Sequence, residues 1–291
     1  MTQVDEARVR YQKVVQLMEW NRLQDAEREA MALIQDEPED ADNYALLGYV
    51  KHKMEKYEEA HHWVEQALRR EPEHILGWYV RTNTFYEQDN MKALKTALEE
   101  ALRIDPYEPH YHMLNANLCN KKGKYNEAKE HLLKALEIAP ENAFYLAQMS
   151  YTEALLGNSH ISKEYEKESL RLDVESELNY LYLAWAADRR DDNEQYLLML
   201  KNAIHLDPDN KQVREEYMEG LQSQYLLYRI LMAPSRLAKR LKPWQILMCW
   251  FALWIIFRPL VIIFIILYVI IHWSTKLLVH VKLFGWNFKR R

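Results

Sequence analysis

Apolar and small residues recur along the chain in pairs of stretches, and the pairs repeat at a fixed period of 34 positions. Each stretch runs for about 12–14 residues with apolar side chains three and four positions apart, the spacing of an amphipathic helix. One slot of this grid holds Ala26, Ala60, Leu94, Ala128, Ser162 and Tyr196. The pattern predicts helix-turn-helix units over residues 7–232, the last followed by a capping helix from about Lys211.

Prolines mark the ends of the units. Pro38, Pro72, Pro106 and Pro140 are spaced by one period each, and Pro208 falls on the same grid. Proline cannot continue a helix, and it disfavours helical geometry in the residue before it. One helix pair cannot bury its apolar face alone, whereas stacked pairs bury a continuous core. The grid therefore predicts a stacked array.

Two units carry a recognisable motif. The second contains Tyr44, Leu47, Gly48, Ala60, Val64, Ala67 and Pro72. The fourth contains Ala116, Gly123, Tyr125, Ala128, Leu132, Ala135 and Pro140. These residues resemble the tetratricopeptide repeat family. The resemblance implies an all-α fold, a right-handed α-solenoid of about six 34-residue helix-turn-helix repeats with a capping helix.

The fifth unit departs from this pattern. Slots that are apolar or small elsewhere hold Ser162, Glu166 and Ser169, and Val174 replaces the proline. Two interpretations follow. In the first, which we favour, its second helix is rotated so that three apolar residues face inward. In the second, the unit is locally soft. The residues that would face inward are Ile161, Tyr165 and Leu172.

The family resemblance also implies a binding groove, because the first helices of such repeats line the concave face and bind peptides there. The positions carried over are Tyr49, Tyr79, Asn83, Tyr86, Met113, Asn117, Asn120, Tyr151 and Trp185. Asn83 and Asn117 are one period apart, so we expect equivalent places on neighbouring units. Two such amides can pair with the backbone of an extended peptide while tyrosines pack its side chains.

Composition argues against catalytic chemistry. The chain has no HExxH motif, no phosphate-cradling glycine loop and no GxSxG motif, and its histidine spacings do not converge on one helical face. We expect the histidines to be exposed or to line the groove. Two cysteines, Cys119 and Cys249, exclude a disulfide framework and a cysteine-rich metal site. We therefore expect no catalytic residues, no metal and no cofactor.

Charge divides the chain into two parts. Residues 233–291 hold ten Lys and Arg and no acid, whereas the part before them holds the other 28 bases and all 43 acids, for a formal charge of −15. An acidic body makes nucleic acid an unexpected partner. A basic, apolar tail predicts attachment to a membrane, with preference for anionic lipid. Residues 1–10 show no secretory signal, so we expect the repeats on the cytoplasmic side.

The tail divides into a basic linker over residues 233–243, a membrane segment over 244–273 and a basic interfacial tail over 274–291. Two geometries remain open. One is a single transmembrane helix from Trp254 to Trp273, ended by Lys276. The other is a shallow hairpin bent at Arg258–Pro259.

These expectations combine into a functional prediction. The chain is predicted to be a non-enzymatic adaptor or scaffold, held at a membrane, that binds a partner peptide or protein in the groove of its repeats. The alternatives are a membrane-embedded component that oligomerises or assists transport assembly, supported by an intramembrane charge at Arg258, and a regulatory subunit of a membrane enzyme.

Overall fold

The computed structural model describes residues 3–223, Tyr225, Met248 and residues 258–284. The described part is all-α and contains fourteen helices. They are α1 Gln3–Glu19, α2 Leu23–Asp36, α3 Ala41–Lys53, α4 Tyr57–Arg70, α5 Ile75–Glu87, α6 Met91–Ile104, α7 Pro109–Lys121, α8 Tyr125–Ile138, α9 Ala143–Leu155, α10 Ser159–Leu172, α11 Glu177–Arg189, α12 Asn193–Leu206, α13 Lys211–Ser223 and α14 Arg258–Phe284. The first twelve form six helix pairs, and α13 lies where the capping helix was predicted.

The chain divides into two compact units. The N-terminal unit is Met1–Tyr145 and the C-terminal unit is Leu146–Arg291. The N-terminal unit contains the first four helix pairs and the start of α9. The C-terminal unit contains the rest of α9 and the helices α10 to α14.

A left-handed residue makes each turn inside a helix pair. These residues recur every 34 positions with φ between 54° and 82°. Glycine adopts this conformation without strain, whereas other residues pay a small steric cost there. Only two of the six positions are glycine, so residue identity alone does not show the slot. The six are Asn21, Glu55, Asp89, Gly123, Gly157 and Asp191.

A second series with the same period caps the start of each first helix after α1. Each side chain accepts a hydrogen bond from a backbone N–H of the following turn, which satisfies a group that the helix leaves unpaired. His74 does this with Nδ1, which accepts from the Gly77 N–H at 3.0 Å, while its Nε2 bonds Asp42 at 2.9 Å. The series is Asp40, His74, Glu108, Asn142, Ser176 and Asn210.

The prolines serve a further purpose beyond ending helices. In three repeats the carbonyl of the proline accepts a hydrogen bond from the aromatic side chain six residues later. The distances are 2.9 Å for Tyr44 to Pro38, 2.8 Å for Trp78 to Pro72 and 3.2 Å for His112 to Pro106. His112 and His74 are therefore buried structural residues, so the expectation of exposed or groove-lining histidines is wrong for these two.

Small residues bring the paired helices together in the N-terminal unit. Ala26, Ala60 and Ala67 are completely buried. At Gly48 the approach is closest, because a Cβ there would lie 2.8 Å from the Val64 Cγ2 atom and 3.3 Å from the Val64 backbone nitrogen. Small residues at fixed positions of the grid thus allow the paired helices to approach closely.

The second helix of the fifth repeat, α10, is not rotated. Ser162 and Ser169 are completely buried and Glu166 is 8% exposed, whereas Ile161 is 38% exposed. The rotated-helix interpretation is therefore wrong, because these polar residues find partners in the interior of the C-terminal unit. Ser162 and Ser150 exchange hydroxyl-to-carbonyl hydrogen bonds of 2.7 and 2.8 Å.

A buried ion pair completes this interior. Arg190 lies just after α11 and its side chain is 1% exposed, and it pairs with Glu166 and donates to the Ser162 hydroxyl. Gln195 donates to the other carboxylate oxygen of Glu166 at 2.9 Å. A buried charge is tolerated when it is paired and hydrogen-bonded. Both carboxylate oxygens of Glu166 are bonded, whereas the Arg190 Nε–H is buried without a hydrogen-bond partner among the described residues.

The C-terminal helix α14 contacts α13. Thr275 is buried and its hydroxyl donates to the Ile271 carbonyl at 2.8 Å. The helix continues past Trp273 and Lys276 to Phe284, so it crosses the predicted boundary between the membrane segment and the tail. In the part of the chain that the structure describes, no helix is both long enough and apolar enough to cross a membrane.

The other predicted features of the tail lie at or beyond the edge of the described residues. Trp254 and the linker over residues 233–243 lie outside the described residues. Arg258 and Pro259 begin the first turn of α14. Proline is favoured there because the N–H groups of the first turn have no partner within the helix, so the N–H that proline lacks costs no hydrogen bond.

Candidate functional site

Aromatic rings on consecutive first helices contact one another in the N-terminal unit. The Tyr49 ring of α3 meets the Tyr79 ring of α5 edge-on, with centroids 6.4 Å apart. The Tyr79 ring in turn lies 5.0 Å from the His110 ring of α7. Since all three side chains are half-buried, they form a surface that is partly apolar and partly open.

An amide orients the His110 ring of this row. The Asn83 Nδ2 donates to the Tyr79 carbonyl at 2.7 Å, and its Oδ1 lies 2.8 Å from His110 Nε2. An amide oxygen can only accept, so the proton of His110 is assigned to Nε2. Burial lowers the pKa of His110 to about 4, so the ring is neutral near pH 7.

The second predicted amide is held further along α7. The Asn117 Nδ2 donates to the Tyr86 hydroxyl at 3.2 Å and contacts the Met113 sulfur at 3.3 Å. Asn117 is buried, and Asn120 lies on the same helix in a half-buried position. Asn83 and Asn117 therefore both bond within the unit. A bound peptide would have to use the remaining hydrogen-bonding capacity of these two amides. Their pairing with a peptide backbone therefore stays a prediction.

Cations lie over the tyrosines at the margin of this surface. The Lys53 ammonium is 5.5 Å from the Tyr49 centroid, and the Lys121 ammonium is 5.8 Å from the Tyr86 centroid. His52, which stacks on Tyr49, bonds the Thr84 hydroxyl at 3.0 Å. Burial, with smaller contributions from nearby Lys53 and His61, lowers the pKa of His52 to about 4. The N-terminal surface is thus aromatic and amide-rich, with ammonium groups at its edge.

The two remaining predicted positions, Tyr151 and Trp185, lie in the C-terminal unit and contact each other with centroids 5.9 Å apart. Tyr182 joins them, 6.1 Å from Tyr151 and 4.9 Å from Trp185. The Trp185 indole N–H donates to the Glu216 carboxylate at 2.8 Å. The structure therefore distributes the predicted groove residues over two surfaces, one in each unit.

Sequence reasoning missed three members of these surfaces, namely His110, Tyr182 and Glu216. A signal for two of them was present, since Tyr182 and Glu216 are one period apart and share a slot on the first helices. His110 had no such signal, because its slot holds Asp42 and Leu76 in the preceding repeats.

In the described part of the chain, the His, Cys, Asp and Glu side chains form no group of three or more that could hold a metal ion. Cys119 is buried in α7 as a small apolar residue, and burial raises the pKa of its thiol.

Comparison with known proteins supports the repeat assignment. The model of the tetratricopeptide repeat matches residues 41–74 and 110–142, the second and fourth repeats. Human tetratricopeptide repeat protein 34 (Homo sapiens) is 29% identical over 100 residues, which cover 34% of this chain and 18% of that protein. The chain thus spans about a fifth of the length of this relative.

Solved structures share the fold at low sequence identity. One chain of the Cut9–Hcn1 hetero-tetramer of the APC/C superposes on this chain with a TM-score of 0.64 at 12% identity. The superposition covers 74% of this chain and 43% of the Cut9–Hcn1 chain. PilF of Pseudomonas aeruginosa gives 0.60 at 18% identity, over 76% and 99% of the two chains. PilW, a type IV pilus biogenesis factor, gives 0.60 at 14% identity, over 74% and 99%. The chain therefore has the all-α helix-repeat fold of these solved structures, and its residues 41–74 and 110–142 match the model of the tetratricopeptide repeat.

Proposed function

We propose that this protein is a non-enzymatic adaptor whose first helices bind a segment of a partner protein. The observation that carries the proposal is the row of half-buried side chains Tyr49, Tyr79, His110 and Asn83 on three consecutive first helices of the N-terminal unit. Aromatic side chains with few rotatable bonds and amides with fixed orientation are suited to recognition, because little entropy is lost on binding.

The arrangement suits an extended polypeptide. Rings that lie about 5–6 Å apart offer successive apolar contacts, and tyrosine hydroxyls can bond the peptide backbone between them. Because Asn83 bonds the His110 ring, and the Tyr79 ring lies between the His110 and Tyr49 rings, the surface is formed before a partner arrives.

Loss of the aromatic surface tests the proposal. Full-length protein carrying Tyr49→Ala and Tyr86→Ala is compared with a matched variant, Lys95→Ala and Glu99→Ala, whose changes lie on the exposed face of α6. Proteins that co-purify with the wild type and the α6 variant, but not with the aromatic variant, are expected. Identical sets from both variants, each with an unchanged melting temperature, would rule out partner binding at the N-terminal surface, on which the proposal rests.

We further propose that the C-terminal helix attaches the protein to a membrane, with the repeats on the cytoplasmic side. This rests on an exposed apolar run in α14, in which Ile263, the six residues 265–270, Trp273, Leu277 and Leu278 each expose a third or more of their surface. Exposed apolar surface of this extent marks an interaction site, and the ten bases of residues 233–291 favour anionic lipid.

Flotation of the full-length protein with vesicles tests the attachment. We expect it to float with vesicles that contain phosphatidylserine, and to remain bound in high salt, because buried apolar contacts are not screened by ions. Ile266→Asp with Ile270→Asp should abolish flotation. A protein that stays unbound, or that forms oligomers through α14 in solution, would favour the oligomerising alternative.

A further inference from the structure

The first helices of the C-terminal unit combine aromatic and acidic residues in two slots of the repeat grid. Tyr151, Trp185 and Glu219 share one slot, and Tyr182 and Glu216 share the other. In the N-terminal unit the first of these slots holds Tyr49, Asn83 and Asn117, and none of those is charged. With Asp188 of α11, these five residues of the C-terminal unit form what we call the aromatic–acidic patch.

The patch has a fixed geometry at its centre. The rings of Tyr182 and Trp185 meet edge-on, with an interplanar angle of 66°, and both are half-buried. The Glu216 carboxylate is held at both oxygens, because Oε2 accepts the Trp185 indole N–H and Oε1 accepts from the Gln212 amide at 3.0 Å. A carboxylate is thereby fixed at the edge of an electron-rich indole ring.

Three carboxylates belong to the patch. Burial raises the pKa of the Tyr196 hydroxyl, and the charges of Glu216, Asp188 and Glu219, in that order, raise it further. Glu219 lies three residues after Glu216 on α13, and Asp188 lies three residues after Trp185 on α11, a spacing that puts each acid on the same helix face as its neighbour in the patch. Asp188 and Glu219 are exposed, so their charges reach the surface of the unit.

The two units differ in where the positive charge comes from. All four cation–π pairs found among the described residues belong to the N-terminal unit: Lys53 over Tyr49, Arg70 over Tyr44, Arg81 over Trp78 and Lys121 over Tyr86. There the protein supplies cations to its own rings. In the C-terminal unit the protein supplies rings and carboxylates together. Both kinds of group attract a cation, so this surface is suited to bind a cation that comes from a partner.

We propose that the aromatic–acidic patch binds a segment of a partner protein through an arginine or lysine side chain. The cation would lie against the Trp185 and Tyr182 rings and pair with Glu216 and Glu219. Arginine fits better than lysine, since its planar guanidinium stacks on a ring while bonding a carboxylate. This inference rests on the proposed adaptor function and names the chemistry of the partner at the C-terminal unit.

Peptide libraries with one fixed central residue test this inference on the purified full-length protein. The fixed residue is Arg, Lys, Gln or Glu, and the flanking positions are random. We expect the Arg library to bind about tenfold better than the Gln library at low salt, the order of one paired cation–π contact. The preference should shrink at high salt and disappear in the variant Glu216→Gln with Glu219→Gln.

A matched variant controls for general loss of charge. Glu194→Gln with Glu215→Gln removes two exposed carboxylates from α12 and α13 outside the patch, and it should keep the preference. Trp185→Phe keeps a ring but removes the indole N–H, so it should bind Arg libraries less tightly than the wild type. Melting temperatures establish that each variant is folded.

Several results would overturn the inference. Equal binding of the Arg and Gln libraries, or a preference that survives loss of Glu216 and Glu219, would do so while leaving the adaptor proposal intact. Binding that emerges only when Arg236, Lys239, Arg240 and Lys242 are changed to Gln would name this chain's own bases as the occupant. If no library binds, the inference fails, and the Tyr49→Ala, Tyr86→Ala comparison decides the adaptor proposal separately.

Discussion

The helices α4 and α10 occupy the same place in the second and fifth repeats, and each has fourteen residues. In α4 the three inward slots hold Ala60, Val64 and Ala67, and in α10 they hold Ser162, Glu166 and Ser169. All six are buried. The comparison teaches that the repeat backbone decides which slots are buried, and that a polar residue in such a slot acquires partners instead of turning the helix.

The hydrogen-bond partners of the polar residues in α10 explain how that helix is stable. Glu166 is bonded by Arg190 and Gln195, and Ser162 by Ser150 and Arg190. Such a network is stable only while all its members are present, because one missing partner leaves a buried charge. We therefore expect α10 to depend on single residues far more than α4 does.

The largest expected effect comes from breaking the buried ion pair. Glu166→Ala leaves the Arg190 guanidinium buried without its counter-charge and should destabilise the C-terminal unit by about 3–5 kcal/mol. Glu168→Ala is the matched control, because its pair with Arg171 is exposed and screened by solvent, so its loss should change stability far less. Denaturant unfolding measures both. Equal, small losses would show that the network does not hold the unit together.

Acid should destabilise the N-terminal unit more than the C-terminal unit. Burial lowers the pKa of both His52 and His110 in the N-terminal unit from 6.5 to about 4. The unfolded chain then binds more protons than the folded one between these values, so stability falls as the pH falls from about 6.5 towards 4. Each histidine contributes at most about 1.4 kcal/mol per pH unit, and less for half-buried His52, which solvent screens.

The acid effect is measured as the melting temperature at pH 7 and at pH 5. His110→Gln should reduce the difference between the two values. The control His160→Gln changes an exposed histidine of the C-terminal unit and should leave that difference unchanged. An unaltered pH dependence in His110→Gln would mean that His110 is not buried as a neutral ring.

The apolar contact between α3 and α4 should be sensitive to the volume of the side chain at position 48. Gly48→Ala places a methyl group 2.8 Å from the Val64 side chain. Overpacking costs about 1–3 kcal/mol, and the better helix propensity of alanine returns up to about 1, so we expect a net loss near 1 kcal/mol. In a Val64→Ala background the same change should be neutral or stabilising. Additive effects in the double variant would contradict a steric origin.

The smallest expected effect concerns local opening. If the polar network leaves α10 soft, amides over residues 162–169 should exchange faster than those over 60–67 and 128–135, the equivalent stretches of apolar repeats. Hydrogen exchange followed by mass spectrometry compares the three stretches within one sample. Equal protection would show that hydrogen bonds replace apolar packing without loss of local stability.

Much of the fold was readable from the sequence because a helix pair has a fixed length. Slots such as Ala60 and Gly48 repeat in register with the pairs, and their burial follows from the period alone. The partner of Glu166 was not readable, since Arg190 reaches it from the next helix pair and shares no slot with it. The turn slot was hidden for another reason, because residues as different as Glu55 and Gly123 adopt the same left-handed conformation.

The sequence predicted which positions form the candidate site, but it did not predict the hydrogen bonds between their side chains. Tyr49, Tyr79 and Asn83 lie on consecutive first helices as the grid requires. The grid did not show that the Asn83 amide is shared between the Tyr79 carbonyl and His110, because hydrogen bonds depend on side-chain direction as well as on slot. The acidic neighbours of Trp185 were missed because the prediction sought a single groove chemistry in both units.

The adaptor account is tested most directly by a photo-reactive side chain in the proposed surface. Benzoylphenylalanine at Tyr86, on the aromatic surface, is compared with the same group at Glu99, on the exposed face of α6, in full-length protein in cells. The account predicts that the Tyr86 position crosslinks to a peptide segment of a partner that the Glu99 position does not reach. Crosslinks to the same proteins from both positions, or none from Tyr86, would contradict it.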